Sequence, residues 1–534
     1  MNAYEELKRI YQRINRLGHV SAICGWDEAV NMPKGGGDSR SDALTELGLV
    51  IHEIITDPKT ADLVEEALKL DASKPTRVLN DWQQANLEII AKGLKRSACI
   101  PTDLLEASQR ASMKSEQAWR LLRSQNDWKS FEPFLTEVVN LERKTAEVLS
   151  ETFGMSKYDA LLDGYQDNLR SDEIDEVFGE LRKFLPDFIT KVVEKQKGET
   201  VVNFEGNYPI SAQKNLGEEV MKRIGFDFDH GRLDTSHHPF CGGVPQDVRM
   251  TTRYNERNWT TALMGVIHET GHGKYEQGLP LEWIEQPVGS AVSIAVHESQ
   301  SLLMEMQVGR SYEFMHFLSP IVTKYLFADD DNLDAYGADN MFKLYTRVRP
   351  SFIRVDADEV TYPCHIILRY EIERDLIEGK LDVADLPEAW DVKMQELLGL
   401  STKDNYKDGC MQDVHWPSGR FGYFPSYTLG AMYAAQMFAA AKKEHPNMLS
   451  RIENGDFTTL NDWLRKRVWS KGSSVTVEEL LEQSTGETLN INFFKDHLIS
   501  RYLNTPDHEP STATVLPQNV VDFHQLQKLR RSSR

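Results

Sequence analysis

Two histidines one helical turn apart are the clearest chemical feature of the chain. They lie in MGVIHETGHGKYEQGL, residues 264–279, where Glu269 directly follows His268 and His272 comes four residues after it. On an α-helix this spacing places both imidazoles on one face, with the glutamate about 100° further around the axis. Such a pair can bind one tetrahedral zinc, and the carboxylate can reach water beside it. The alternative is a solvated helix face with two unrelated histidines.

A catalytic metal site needs a further ligand and an open position, whereas a structural zinc takes four protein ligands. The stretch GSAVSIAVHESQSLLMEMQ, residues 289–307, is predicted to form a second helix, and it contains Glu298. A helix, turn and helix would bring Glu298 back to the two histidines, and a His, His, Glu set suits zinc or cobalt. The alternatives are an exposed glutamate, or ligation by His297, which would point in another direction. Gly271 costs about 1 kcal/mol of helix propensity, but it would let another segment approach closely.

Six short signatures occur in order along the chain. They are HPF at 238–240, DVRMT at 247–251, HETGH at 268–272, HESQS at 297–301, IRVDAD at 353–358 and GCMQDVHW at 409–416. In these signatures, and in GWDEAVNMPKGGGDSR at 25–40, the chain resembles the thermostable (Taq-type) zinc carboxypeptidase family. The resemblance extends from the start of the chain to about residue 504.

The resemblance implies a homodimeric, mostly helical enzyme with a long central groove. Such an enzyme removes single residues from peptide C-termini, with broad preference and little action next to proline. One zinc ion per subunit is implied, with cobalt as the other possible metal. The metal ligands that the resemblance implies are His268, His272 and Glu298. Glu269 is the implied general base, and Arg354 the residue that holds the terminal carboxylate. The groups expected around the scissile carbonyl are His238, His415 and Tyr423.

The chemistry of a free carboxylate supports an arginine in this role. A planar guanidinium can donate two hydrogen bonds to two oxygens. Arg354 follows Phe352 and Ile353 and precedes acidic residues, which could fix its orientation. Arg249 and Arg349 are rivals, and a structural ion pair is the alternative role for each of the three arginines.

The two outlying histidines lie in predicted loops. His238 precedes Pro239 in a turn, and His415 lies in the aromatic-rich stretch QDVHWPSGRFGYF, which is expected to face a cleft. Either ring could hydrogen-bond an oxyanion or a substrate amide, or could be satisfied within the fold. Asp247 and Arg249 are expected to brace a strand rather than to contact substrate.

Two other functions fit parts of the same pattern. A related helical zinc oligoendopeptidase would cut short peptides internally, and it would need no carboxylate clamp. A binding or scaffold protein with a purely structural zinc would have no need of Glu269, which is present.

Helical periodicity dominates the elements that must position these residues. Apolar residues at three-and-four spacing predict helices at 1–17, 77–94, 131–154 and 171–196. The helix at 171–196 is predicted to begin with Ser171 as its N-cap. Strand-like patterns at 201–210 and 242–259 predict a small β-sheet beside the helix that carries His268 and His272.

Composition limits the class of protein. The formal net charge is −21, which disfavours nucleic acid as a partner. The charged start lacks the pattern of a secretory signal, and no run approaches the roughly 18 apolar residues that span a bilayer. The stretch LGAMYAAQMFAAA at 429–441 is predicted to be a buried helix, and no membrane partner is expected. Five scattered cysteines favour a reduced, cytoplasmic protein.

The predicted fold is mostly α-helical. We expect one large catalytic domain at 1–504, with a long substrate groove. The small sheet is expected beside the helix that carries His268 and His272. The segment at 505–534 changes character and ends basic, and it is expected to be a disordered tail.

Overall fold

The computed structural model describes residues 2–72, 79–327 and 332–504. Within these ranges the chain forms twenty α-helices and three β-strands. The helices are α1 (Ala3–Val30), α2 (Gly37–Thr56), α3 (Pro58–Ala72), α4 (Asp81–Cys99), α5 (Thr102–Ser124), α6 (Trp128–Phe153), α7 (Lys157–Leu162), α8 (Ser171–Gln196), α9 (Ile210–Ile224), α10 (Trp259–Gly278), α11 (Ile294–Leu302), α12 (Tyr312–Leu326), α13 (Ala338–Tyr345), α14 (Tyr362–Ile377), α15 (Leu386–Leu398), α16 (Pro425–Glu444), α17 (Met448–Glu453), α18 (Thr458–Arg467), α19 (Val477–Thr485) and α20 (Asn492–Tyr502). The strands are β1 (Gly231–Thr235), β2 (Phe240–Val244) and β3 (Asp247–Thr252). The predicted mostly helical fold with a small sheet is confirmed.

The sheet lies directly beside α10. Its strand order is β1-β3-β2, with β1 parallel and β2 antiparallel to the central β3. Val248 and Met250 on β3 are buried in a cluster with Val266 of α10 and Met221 of α9. The sheet therefore supports one side of α10, as predicted.

The predicted strand at 201–210 is wrong. Residues 201–209 have no regular secondary structure, and α9 begins at Ile210. The side chain of Asn340 accepts from the Val202 N–H at 2.7 Å and donates to the Val202 carbonyl at 2.8 Å, so a side chain replaces a strand partner. The first strand of the sheet is instead β1, which the sequence pattern did not predict.

The long predicted helices are present, but one predicted cap is wrong. Arg170 occupies the N-cap position of α8, and Ser171 is the first helical residue. The Ser171 N–H donates to Asp159 Oδ1 at 2.7 Å, so a carboxylate from α7 caps this end of the helix. The acidic first turn of α8, with Asp172 and Glu173, is confirmed.

The main hydrophobic core contains α16, which includes the apolar stretch at 429–441. Leu429, Met432 and Met437 are all buried, so the predicted buried helix is confirmed. None of the helices in the described ranges is both long and apolar enough to cross a membrane.

A smaller core joins α1, α3 and α4 near the start of the chain. Helix α4 contacts the turn that follows α10, where Trp82 stacks on Trp283 with centroids 5.6 Å apart and Asn86 donates to Gln286 at 3.1 Å. The division into a catalytic domain at 1–504 and a tail stays a prediction. Residues 505–534, expected to be disordered, lie outside the described residues.

Candidate metal centre and active site

Helix α10 presents both motif histidines, and α11 packs against it at Gly271. The Asn258 side chain caps α10 by accepting from the N–H groups of Thr260 and Thr261. A Cβ on Gly271 would lie 2.4 Å from the Gln300 carbonyl oxygen, so only a glycine permits this approach. The close approach predicted for Gly271 is confirmed, and the neighbouring segment is α11.

This packing brings His268, His272 and Glu298 together. One ligand atom from each lies within 4.8 Å of the others. His268 Nε2 is 3.7 Å from Glu298 Oε1, and His272 Nε2 is 3.5 Å from Glu298 Oε2. Two ring nitrogens and a carboxylate oxygen therefore face one point, which is the donor set that zinc and cobalt accept.

The outer nitrogen of His268 is held by a carboxylate that the sequence analysis missed. His268 Nδ1 is 2.9 Å from Glu305 Oε2, and Arg310 donates to Glu305 Oε1 at 2.8 Å. Glu305 lies in a π-helix, Leu303–Val308, which continues directly from α11. Its spacing of seven residues from Glu298 places it two helical turns further on, and this was the available signal.

His297 occupies the outer side of His272. His297 Nδ1 is 2.6 Å from His272 Nδ1, and His297 Nε2 is 2.7 Å from Glu276 Oε1. His297 therefore lies behind the His272 ring and outside the set of convergent donors, and the preference for Glu298 over His297 as the third ligand stays a prediction.

Acidic groups outweigh basic ones around this point. Burial lowers the pKa of His268, but the Glu298 and Glu305 carboxylates overcome it and raise the pKa to about 10. Burial and the neighbouring His297 lower the pKa of His272 to about 4. Burial would raise the pKa of Glu298, but His268 and His272 hold it below its usual value. Such an excess of buried carboxylate favours a cation.

Glu269 is buried beside the same cluster, with 6% of its surface exposed. Its Oε2 has no hydrogen-bond partner among the described residues, which is costly for a buried polar atom. Burial raises its pKa to about 7. An unpartnered carboxylate oxygen and a His, His, Glu donor set both fit a divalent cation with water beside it.

Arg354 lies in a buried ion cluster. It donates to Asp413 Oδ1 through Nε at 3.1 Å and Nη2 at 2.8 Å, and to the Tyr362 hydroxyl through Nη1 at 2.6 Å. Arg369 donates to the other Asp413 oxygen at 2.7 Å. The acids that follow Arg354 in sequence do not fix its orientation, because Asp358 instead accepts from Thr361 and its neighbours.

The rival arginines have other positions. Arg249 donates to both oxygens of Asp247, at 2.6 and 3.0 Å, which confirms that this pair braces β3. Arg349 is exposed, and its backbone N–H donates to Asp358.

His415 and Tyr423 share one aromatic loop before α16. His415 Nε2 is 3.1 Å from the Tyr427 hydroxyl, its ring lies 5.4 Å from that of Tyr423, and its buried Nδ1 has no hydrogen-bond partner among the described residues. Burial, and then the Glu298 charge, raise the pKa of Tyr423 to about 12, so this loop lies within electrostatic reach of Glu298.

His238 lies apart from these groups. It is an exposed residue in the connection between β1 and β2, and its carbonyl accepts from the Ser236 hydroxyl at 2.6 Å. Within the described ranges, no hydrogen bond or ion pair joins its ring to His268, His272 or Glu298.

Comparisons with known proteins match nearly the whole chain. The family model for carboxypeptidase Taq (M32) metallopeptidases matches residues 6–502. The chain belongs to the carboxypeptidase Taq (M32) family. The family match identifies this M32 protein as a metallocarboxypeptidase, an enzyme that hydrolyses peptides with a divalent metal. A scaffold protein with a purely structural zinc does not fit this assignment.

Relatives match this M32 carboxypeptidase over nearly its whole length. Thermostable carboxypeptidase 1 of Thermus thermophilus is 37% identical over 514 residues, which is 94% of this chain and 98% of that protein. The structure of Trypanosoma cruzi metallocarboxypeptidase 1 superposes with a TM-score of 0.90 at 42% identity, covering 94% of this chain and 99% of that one. A Pyrococcus furiosus carboxypeptidase structure gives a TM-score of 0.88 at 31% identity, with 94% and 99% covered.

Proposed function

We propose that this M32 carboxypeptidase releases single amino acids from peptide C-termini with one zinc ion per subunit, cobalt being the other suitable metal. The observation that carries the proposal is the convergence of His268, His272 and Glu298 on one point. Three protein ligands leave a position for a non-protein ligand around a four-coordinate zinc. An ion held by these three residues would supply Lewis acidity, which would polarise the scissile carbonyl and acidify a water molecule.

Glu269 is the proposed general base. Its carboxylate follows the first proposed ligand on α10, and its unpartnered Oε2 is able to accept a hydrogen bond from a water molecule. In this role Glu269 takes a proton from the attacking water and then delivers it to the leaving amine. The sequence of steps needs one carboxylate in two protonation states and no second acid.

Arg354 is the proposed partner of the substrate's terminal carboxylate. Asp413 is shared between Arg354 and Arg369, so two positive charges meet one negative charge in this cluster. The net positive charge favours an arriving carboxylate, and the guanidinium retains N–H groups that its three hydrogen bonds do not use. Because Arg354 holds the terminal carboxylate of the peptide, only the last peptide bond reaches Glu269 and the metal site.

The remaining substrate contacts are proposed from their position. His415 has a buried, unpartnered Nδ1, and Tyr423 lies in the same loop, so both are suited to hydrogen-bond the oxyanion or a substrate amide. His238 is proposed to contact the substrate from the β1–β2 connection, and its exposure leaves it accessible.

Three further properties are proposed. Broad residue preference with poor cleavage next to proline, and a homodimer, are proposed from the family resemblance, and a cytoplasmic location is proposed from the scattered cysteines. All five cysteines lack a disulfide partner, which supports a reducing compartment. Sedimentation of the purified protein tests the dimer, which a monomeric mass would exclude. Cell fractionation tests the location.

Analysis of products by mass tests the proposed activity. We expect a peptide with a free C-terminus to lose one residue at a time, and the same peptide with an amidated C-terminus to remain largely intact. Chelator should stop the reaction, and zinc should restore it. Internal fragments from both peptides would instead support an oligoendopeptidase.

Glu269→Gln tests the role of the base in the same assay. The variant keeps its shape and its neighbours His268 and His272, so we expect it to bind zinc as the wild type does. Its turnover should fall by at least about 100-fold, because glutamine cannot accept the proton. A variant with zinc bound and wild-type turnover would remove Glu269 from the mechanism.

A further inference from the structure

His272 and His297 form a closely spaced pair whose hydrogen-bond direction can be deduced. Their Nδ1 atoms are 2.6 Å apart, and the two rings stack with centroids 4.5 Å apart. On its far side, His297 Nε2 is 2.7 Å from Glu276 Oε1. The three side chains come from α10 and α11, and each is at least three-quarters buried.

One proton arrangement satisfies both contacts with neutral rings. A carboxylate only accepts hydrogen bonds, so the proton between Glu276 and His297 resides on His297 Nε2. A neutral His297 then has a bare Nδ1, which accepts from the Nδ1–H of His272. The remaining nitrogen of His272, Nε2, therefore carries a lone pair, and this is the atom that faces Glu298 at 3.5 Å.

We propose that His297 is a positioning residue, which together with Glu276 holds His272 in the tautomer and orientation that present Nε2 to the cation. The two histidines of the motif thus have different hydrogen-bond partners on their outer nitrogens. His268 is held directly by the Glu305 carboxylate, whereas His272 is held through an interposed imidazole. The inference rests on the metal site of the proposed function, and it assigns roles to two residues that do not contact the cation.

Substitution of His297 should weaken metal binding without unfolding the protein. Phenylalanine preserves a flat ring in the stack with His272, but it cannot accept from Nδ1–H. His272 can then rotate or change tautomer, and loss of such an outer partner typically costs about 10–100-fold in metal affinity. We expect that loss for His297→Phe, with the melting temperature of the metal-free protein unchanged.

The experiment is a zinc titration of the full-length, metal-free protein against a chromophoric chelator. Wild type is compared with His297→Phe, Glu276→Ala and Glu276→Gln. The alanine variant should bind zinc several-fold more weakly than wild type, because His297 loses its acceptor. The glutamine variant should recover most of the affinity, because its amide oxygen still accepts from Nε2–H. The spectrum of the cobalt-loaded proteins should shift in His297→Phe and Glu276→Ala and recover in Glu276→Gln.

His316→Phe is the matched control, since His316 is an exposed histidine of α12 that pairs with Glu453. It should leave zinc affinity unchanged. Zinc affinity of His297→Phe within twofold of wild type would overturn the proposal, as would equal losses in the two Glu276 variants. Should His297→Phe fail to fold, the two Glu276 variants still decide the question. A wild type that neither binds zinc nor trims peptides would instead contradict the proposed function.

Discussion

The proposed substrate arginine shares its counter-ion with a second arginine. Arg354 and Arg369 each donate to one oxygen of Asp413, and the two positive charges hold the pKa of that carboxyl far below its usual range in spite of its burial. A carboxylate that arrives at this cluster meets a guanidinium already fixed by Asp413 and Tyr362. The geometry reduces the entropy cost of ordering a long side chain on binding.

Arg354→Ala should therefore impair recognition of the chain end more than folding, because Arg369 remains to neutralise Asp413. We expect kcat/KM for free-acid peptides to fall by about 10–100-fold, mostly through KM, which corresponds to loss of a charge-assisted hydrogen-bond pair. The slow cleavage of C-terminal amides should change little. Steady-state kinetics on matched acid and amide peptides measure both effects. Arg349→Ala, an exposed arginine nearby in sequence, is the control, and equal losses on both substrates would exclude the clamp.

The sequence predicts some residues of the site and not others. The spacing of His268 and His272 follows from helix geometry, so their shared face was predictable. Glu305 lies 37 residues from His268, and Asp413 lies 59 residues from Arg354. No local pattern links either pair directly, because only tertiary packing brings its two members together. For Glu305 the sequence offers only the seven-residue spacing from Glu298.

At the level of elements, the site depends on how closely three helices approach one another. Gly271 lets α11 contact α10, and on the other side a Cβ on Gly430 of α16 would lie 2.9 Å from the Cβ of Glu298. Glu298 is thus held between two helices at positions where only glycine fits. The sequence predicted a close approach at Gly271, but it did not name the partner segment.

Helix α11, which carries Glu298, also differs from its predicted form. It begins at Ile294 rather than at 289, with Ser293 accepting from the Val296 N–H as its cap, and it ends as a π-helix. Glu305 lies within this wider turn, and π-helical turns occur frequently at functional sites. Apolar periodicity cannot predict it, because LLMEM at 302–306 is compatible with either helix type.

Gly271→Ala should force α10 and α11 apart. The new methyl group would meet the Gln300 carbonyl oxygen at 2.4 Å and the Ser301 Cα at 2.6 Å, and neither backbone atom can rotate away. We expect a loss of about 1–3 kcal/mol in the free energy of unfolding, together with weaker zinc binding because Glu298 moves with α11. Gly265→Ala on the same helix is the matched control, since its Cβ would meet only Thr252 Oγ1 at 3.8 Å. Denaturant unfolding and zinc titration measure the stability and the zinc affinity of both variants. Equal stability and equal zinc affinity would show that the packing of α10 on α11 adapts to the new methyl group.

At the scale of the whole molecule, the dominant property is a net negative charge, since the chain has 82 acidic and 61 basic residues. Composition predicts this charge, but it does not show which carboxylates folding buries. Glu142 on α6 is partly buried, and it lies against the loop that carries His415. A Cβ on Gly419 of this loop would lie 3.1 Å from Glu142 Oε1 and 2.8 Å from Ser112 Oγ on α5. The α5–α6 pair therefore supports the loop that carries His415 through a partly buried acid.

Burial raises the pKa of Glu142 from 4.5 to about 7. Below pH 4.5 the carboxyl is neutral in both folded and unfolded chains, so it costs nothing. Between pH 4.5 and 7 the unfolded chain ionises first, so this group progressively destabilises the folded state, and the cost is constant above pH 7. The difference in pKa corresponds to at most about 3 kcal/mol.

Glu142→Gln should remove that pH dependence, because a glutamine mimics the neutral acid at every pH. The variant should exceed wild type in free energy of unfolding by about 1–3 kcal/mol at pH 8, and by less at pH 5. Denaturant titrations at both pH values measure the difference between the proteins, in which the contributions of all other groups cancel. Glu137→Gln, an exposed glutamate on the same helix, should give no such gain. A gain for Glu142→Gln that is equal at both pH values would mean that the carboxyl ionises normally in the folded protein, and that the loop carrying His415 packs on a charged rather than a neutral acid.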